Sequence, residues 1–147
     1  MFLLIPTLHV RGASVMTMII WNENFSIGIP DLDKEHKYLI DIINQLSESM
    51  TANHSRDTLP EIIEQLYDYI GTHHSHEEAL MQKSNYPNFP NHHQEHKNFH
   101  NNIIELHKLY ATDLLYAKNL LNTLQDWVIN HICNIDREFG VFYNSKK

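Results

Sequence analysis

The chain has 147 residues, 42% of them hydrophobic and 20% charged, enough for one domain with a buried core and too few for two. A net charge of -7, with 11 Lys and Arg spread thinly, argues against a nucleic-acid surface, because phosphate binding needs clustered cations. The lone cysteine, Cys133, rules out an internal disulfide and points to a reducing cytoplasm, and no segment approaches the apolar length that a membrane requires.

The chain opens on "MFLLIPTLHVRGASVM", an apolar start with a proline inside it and no basic residue ahead of it. That makes a poor secretory signal, so residues 1–18 are expected to be a disordered extension before a domain over residues 19–147. From Asp31, read as an N-cap, the series Leu32, His36, Leu39, Ile43, Leu46, Met50 steps by three and four and predicts a first helix over residues 31–50. After "TANHSRDT", read as a polar loop, Pro60 sits near a first turn. Leu59, Ile62, Ile63, Leu66, Ile70, His73, Glu77 and Leu80 then carry a second helix until "SNYPNFPN" stops it. Pro90 and a capping Asn91 introduce a third series, His92, His96, Phe99, Ile103, Leu106, Tyr110. The fourth is Leu114, Ala117, Leu121, Leu124, Trp127 or Val128, His131, Ile135, Phe139. Short connections between long helices make neighbours antiparallel, so the expected fold is all-α, an up-down-up-down four-helix bundle with an N-terminal extended arm.

The stretch "HHSHEEALM" at residues 73–81 can be read as a metal site, an acid/base site or a polar helix face. Register helps to separate these readings. His36, His73, His92, His96 and His131 fall on the apolar stripes, whereas His54 is in a loop and His74, His76, His93, His100 and His107 fall off the stripe or at its edge. In the expected topology the start of the first helix, the end of the second, the start of the third and the end of the fourth share one end of the bundle. The five inward histidines and Glu77 therefore meet within roughly two or three turns of that end, at about 1.5 Å per residue. Unpaired burial of so many imidazoles and a carboxylate would be costly, and a metal removes the cost. The pairs His73/Glu77 and His92/His96, one turn apart, can each offer two donor atoms to one centre. The donor count exceeds what a single zinc takes and fits two ions better, with Glu77 placed to bridge them.

Four segments in order, "WNENFSIGIPDLDKEH" from Trp21, "HHSHEEALM" from His73, "NYPNFPNHHQEHKNF" from Asn85 and "WVINHICNID" from Trp127, resemble hemerythrin, and specifically the bacterial single-domain hemerythrins. The resemblance spans about residues 19–140. It implies that His92, His96 and His131 bind one iron, that His36 and His73 bind the other, and that Glu77 and Asp136 bridge the two, together with an oxo or hydroxo group. Asp136 is not on the apolar stripe, since a step of five from His131 turns about 140° on a regular helix. If it is a ligand, the helix must be distorted between His131 and Asp136, as π-bulges at functional sites are. A regular helix with Asp136 in solvent would sink the assignment.

The implied ligand set leaves one coordination position open, on the iron with two histidines. The resemblance makes the occupant O2, bound reversibly for carriage, storage or local delivery. A histidine-rich, mostly neutral donor set favours this over the oxygenase or ferroxidase chemistry of carboxylate-rich di-iron sites. Trp127, Leu39, Ile40, Ile70 and Phe99 form an apolar wall about the site. Glu78 is read as a helix-surface charge, with orientation of a ligand histidine as the alternative. His74, His76 and His93 are read as surface residues, although the family often carries Phe where His74 stands. Cys133 is read as a small buried residue. The expected state is a monomer that is not an enzyme, with O2 as its ligand and no nucleic-acid or membrane partner. A di-iron oxidase or peroxide-consuming enzyme and an oxygen or redox sensor are the competing readings; the sensor is disfavoured because the chain ends soon after the fourth helix, without an output domain.

Overall fold

The computed structural model describes residues 18–51, 55–110 and 115–147, and among these every regular element is helical. Four rods make the bundle. These are α1 (Pro30–Thr51), α2 (Ser55–Lys83), α3 (Phe89–Lys108), and a fourth that joins α4 (Tyr116–Trp127), a π-helical segment (Val128–Asp136) and α5 (Arg137–Ser145). The last three run on without a break, because Trp127, Val128, Asp136 and Arg137 all keep right-handed helical backbone angles. Packing of α1 on α2, α2 on α3, α3 on α4 and α4 on α1 closes the ring expected of the bundle. Its centre is filled by Leu39, Ile43 and Leu46 from α1, Leu66 and Ile70 from α2, Ile103 from α3, and Leu120 and Leu124 from α4, all almost fully buried.

Helix ends differ in detail from the sequence expectation. Pro30, not Asp31, is the first helical residue of α1. The Asp33 amide donates to the Ile29 carbonyl (2.9 Å), which puts Ile29 at the cap and Asp31 and Asp33 in the first turn, where the helix dipole favours acids. The polar loop expected after Met50 is shorter, since α2 already begins at Ser55 and holds Pro60 inside its second turn. Asn88 rather than Asn91 caps α3, because Pro90 lacks the N–H that an interior position needs and so belongs at the helix start. Leu114 and His54 lie outside the described residues, as does the extension expected over residues 1–18 apart from Met18.

The arm that follows Met18 is extended except for a 3-10 turn at Glu23–Phe25. Asn44 holds it at one end, accepting from the Ile19 amide (2.9 Å) and donating to the Ile19 carbonyl (2.8 Å). At the other end Phe25, Ile27 and Ile29 are buried, Asp33 accepts from the Ser26 hydroxyl and the Ile27 amide, and Arg137 donates to the Asn24 carbonyl. Two glycines permit this crossing. Gly28 turns the chain at φ +78°, and a Cβ on Gly140 would stand 1.9 Å from the Ile27 carbonyl oxygen. The arm thus lies across the last helix close to the end where the histidines converge. No described helix is long and apolar enough to cross a membrane.

Candidate metal centre

All seven residues singled out from the sequence come together at one end of the bundle, and all seven are buried: His36, Glu77 and Asp136 to 1% exposure or less, His73, His92, His96 and His131 to 3% or less. They form two groups that share both carboxylates. In one, Glu77, His92, His96, His131 and Asp136 each place a donor atom within 4.8 Å of the others. His36, His73, Glu77 and Asp136 do the same in the second.

The carboxylates divide their oxygens between the groups. Glu77 Oε1 lies 2.8 Å from His92 Nε2 and 3.3 Å from His96 Nε2, while Glu77 Oε2 lies 3.2 Å from His73 Nε2. Asp136 Oδ1 lies 2.8 Å from His92 Nε2 and 2.9 Å from His131 Nε2, and its Oδ2 is 3.2 Å from His36 Nε2. Within the groups, His36 and His73 bring their Nε2 atoms to 3.1 Å, and His92 and His131 to 3.2 Å.

Asp136 reaches the centre because the helix is π-helical from Val128 through Asp136, the distortion that the His131–Asp136 spacing requires. A π turn holds more residues than an α turn, so a step of five returns nearly to the same face. His131 and Asp136 are both buried there, while Asn134 between them is exposed.

Donor spacing tests whether cations fit. Nitrogen and oxygen ligands stand about 2.0–2.2 Å from a first-row divalent ion, so neighbouring donors are about 2.8–3.1 Å apart around an octahedron and about 3.3–3.6 Å apart around a tetrahedron. Most of the observed separations fall at or near the octahedral range. Despite their closeness, Glu77 Oε1 and Oε2, Asp136 Oδ1 and His96 Nε2 are not aligned for a regular hydrogen bond with any described residue. Buried polar atoms without partners are costly, and a cation at each focus would satisfy them. Burial by itself would raise the Glu77 carboxyl, yet His36, His73, His92 and His96 around it hold it well below the usual range. Burial and Glu77 likewise oppose ionisation of Asp136, and His131 and His36 outweigh them. Both carboxylates are therefore anions at neutral pH, as ligands must be. Burial works against a proton on His73, but Glu35 and Glu77 push it up to about 10; Asp136 and Glu77 push His92 up to about 9 against the same effect.

Outside the cluster, two glutamates orient the outer edges of the imidazoles. Glu35 Oε1 accepts from His73 Nδ1 (2.9 Å) and its Oε2 from the exposed His76 Nδ1 (2.9 Å). Glu78 repeats the pattern with His96 Nδ1 (2.8 Å) and His93 Nδ1 (2.9 Å). An Nδ1–H bonded to a carboxylate leaves Nε2 as the inward ligand atom. Glu78 thus takes the orienting role that was the alternative for it, and Glu35, which had no sequence signal beyond its place beside His36, takes the matching one. His74 is not a surface residue. It is 8% exposed and its ring stacks on His96 at 3.7 Å with 2° between planes. Burial, with His96 and His73 beside it, pushes it down to about 2, so the ring packs as a neutral aromatic. Trp127 stacks on His131 (3.7 Å) and Phe99 (3.9 Å), while Leu39, Ile40, Ile70 and Phe99 are buried as expected of the wall. Cys133 is free and half-buried.

Residues 27–142 match the hemerythrin HHE cation binding domain. The chain belongs to the hemerythrin family. It is 31% identical to a hemerythrin of Themiste dyscrita over 119 residues, 81% of this chain and 88% of that protein. Two bacteriohemerythrins are similar as well. That of Stenotrophomonas maltophilia is 27% identical over 125 residues (85% of this chain, 81% of the relative), and that of Methylococcus capsulatus 28% over 127 residues (85% and 96%). The family assignment and the geometry agree: a hemerythrin bundle carries a buried His, Glu and Asp cluster able to hold metal.

Proposed function

We propose that this hemerythrin-family chain binds O2 reversibly at a non-haem di-iron centre, as a carrier, store or local donor of O2 and not as an enzyme. His92, His96 and His131 would hold one iron, His36 and His73 the other, with Glu77 and Asp136 shared between them. The observation that carries this reading is the division of each carboxylate, one oxygen toward the three-histidine group and one toward the two-histidine group. When bound, the iron pair supplies the two electrons that O2 takes up and returns on release.

The chain's own residues account for the rest. With five protein donors on one side and four on the other, the His36/His73 side has more room for an outside ligand. Five neutral imidazoles against two carboxylates favour the reduced pair and so favour release over further oxidation. Glu35 and Glu78 fix the ring orientations of His73 and His96. Leu39, Ile40, Ile70 and Phe99, with Trp127 against His131, keep water from the inner face. We also place the chain in the cytoplasm, the compartment its lone cysteine suggests, and take it to be a monomer. The test is a cycle of reduction, oxygenation and deoxygenation followed by absorption. A charge-transfer band that appears with O2 and bleaches under argon through several cycles is expected. Irreversible oxidation with steady consumption of a reductant would favour the oxidase or peroxidase reading instead.

A further inference from the structure

Tyr69 stands out from the residues around the centre. It is 5% exposed, yet its hydroxyl has no hydrogen-bond partner among the described residues. It lies one turn before His73 on α2, and its ring stacks parallel on the His73 ring at 5.1 Å and 10°. Tyr38 packs against it edge to face at 6.2 Å. A buried phenol that only filled space would be replaced at no loss by phenylalanine, because the orphaned hydroxyl is a cost without a return in the free protein. A phenol carries a proton to donate, so with its ring against His73 and no partner for its hydroxyl among the described residues, Tyr69 stands beside the centre as a donor that lacks an acceptor.

Its position suggests the acceptor. His73 belongs to the group with fewer protein donors, the side on which an outside ligand has room. Resting on the di-iron reading above, we propose that the Tyr69 hydroxyl donates a hydrogen bond to the small ligand held at the His36/His73 side of the centre, and so selects ligands whose bound form carries an acceptor atom. The residue is a positioning and selectivity group, not a metal ligand.

Tyr69→Phe keeps the ring and removes only the hydroxyl. The full chain is loaded with iron, oxidised and titrated with azide, a small anion with acceptor nitrogens, and the azide stretch is recorded in H2O and D2O. Expected are unchanged iron content, a metal-free melting temperature equal to or above that of the unmodified protein, azide binding weakened about tenfold to a hundredfold, and loss of a D2O-sensitive azide stretch. Equal azide affinity in the variant overturns the Tyr69 assignment while leaving the di-iron reading in place. Loss of iron affinity with azide affinity kept would make Tyr69 a support for Asp136 or Glu77, and overturns it too. Failure of the unmodified protein to hold iron or bind azide overturns the reading beneath it, and this proposal with it.

Discussion

Replacing Glu78 or Glu35 with alanine tests whether the outer hydrogen bonds hold the imidazoles for metal. Each glutamate accepts one Nδ1–H from a buried imidazole and one from a partly or largely exposed histidine, at 2.8–2.9 Å throughout. The inner bond fixes a ring that already has one nitrogen at the centre, and loss of such a partner costs about 10- to 100-fold in metal affinity, or about 1.4–2.7 kcal/mol. The outer bonds, to His76 and His93, are open to water and should contribute only about 0–1 kcal/mol. Glu35 should matter more than Glu78, because His73 belongs to the group with four protein donors and His96 to the group with five. The assay is competition between each variant and a chromogenic chelator for ferrous iron under anaerobic conditions, with His76→Ala and His93→Ala as comparisons. Expected are a loss of affinity at one site in each glutamate variant, a greater loss for Glu35→Ala, and little change in the histidine variants. Equal affinity in all four, or histidine variants as weak as the glutamate ones, would refute that role for the glutamates.

Gly140→Ala forces its Cβ to within 1.9 Å of the Ile27 carbonyl oxygen, so the arm must lift and expose Ile27 and Ile29. A loss of about 2–4 kcal/mol is expected in denaturant unfolding, and a loss under about 0.5 kcal/mol would mean that the arm contributes little. Metal binding should depend on pH. In the metal-free protein His73 and His92, with pKa values of about 10 and about 9, hold protons at pH 7 that a metal must displace, so affinity should rise from pH 7 to about 9 with proton release. The sign reverses for stability of the metal-free fold. These raised values stabilise it fully below the unfolded histidine value near 6.5, and that share is lost as pH rises through 9 and 10. Calorimetry in buffers of different ionisation enthalpy, with melting at pH 7 and 9.5, checks both signs.

The fold and the cluster were legible for one reason: a helix repeats at a fixed angle, so register alone places His36, His73, His92, His96 and His131 inward, and topology alone brings them to one end. Asp136 was out of register. Only the family resemblance nominated it, and the distortion it demanded is present. Contacts made across helices by residues off the stripes were much less legible. His74 is adjacent to His73 and reads as surface, but the ring of His96 on α3 gives it a stacking partner that a single-helix projection cannot reveal. Glu35 and Glu78 border the stripes, where a carboxylate can as easily be solvated; what decides is the Nδ1 of a histidine on another helix. Tyr69 was hidden for the opposite reason, since a tyrosine at an inward position looks like ordinary core until its hydroxyl is found without a partner.

Iron content per chain tests the di-iron reading. After anaerobic reconstitution with ferrous iron and removal of excess, two irons per chain are expected, falling to about one or fewer in Asp136→Asn and Glu77→Gln variants whose helix content by circular dichroism matches that of the unmodified protein. A single iron in the unmodified protein, or two retained when either shared carboxylate is replaced, would contradict that reading.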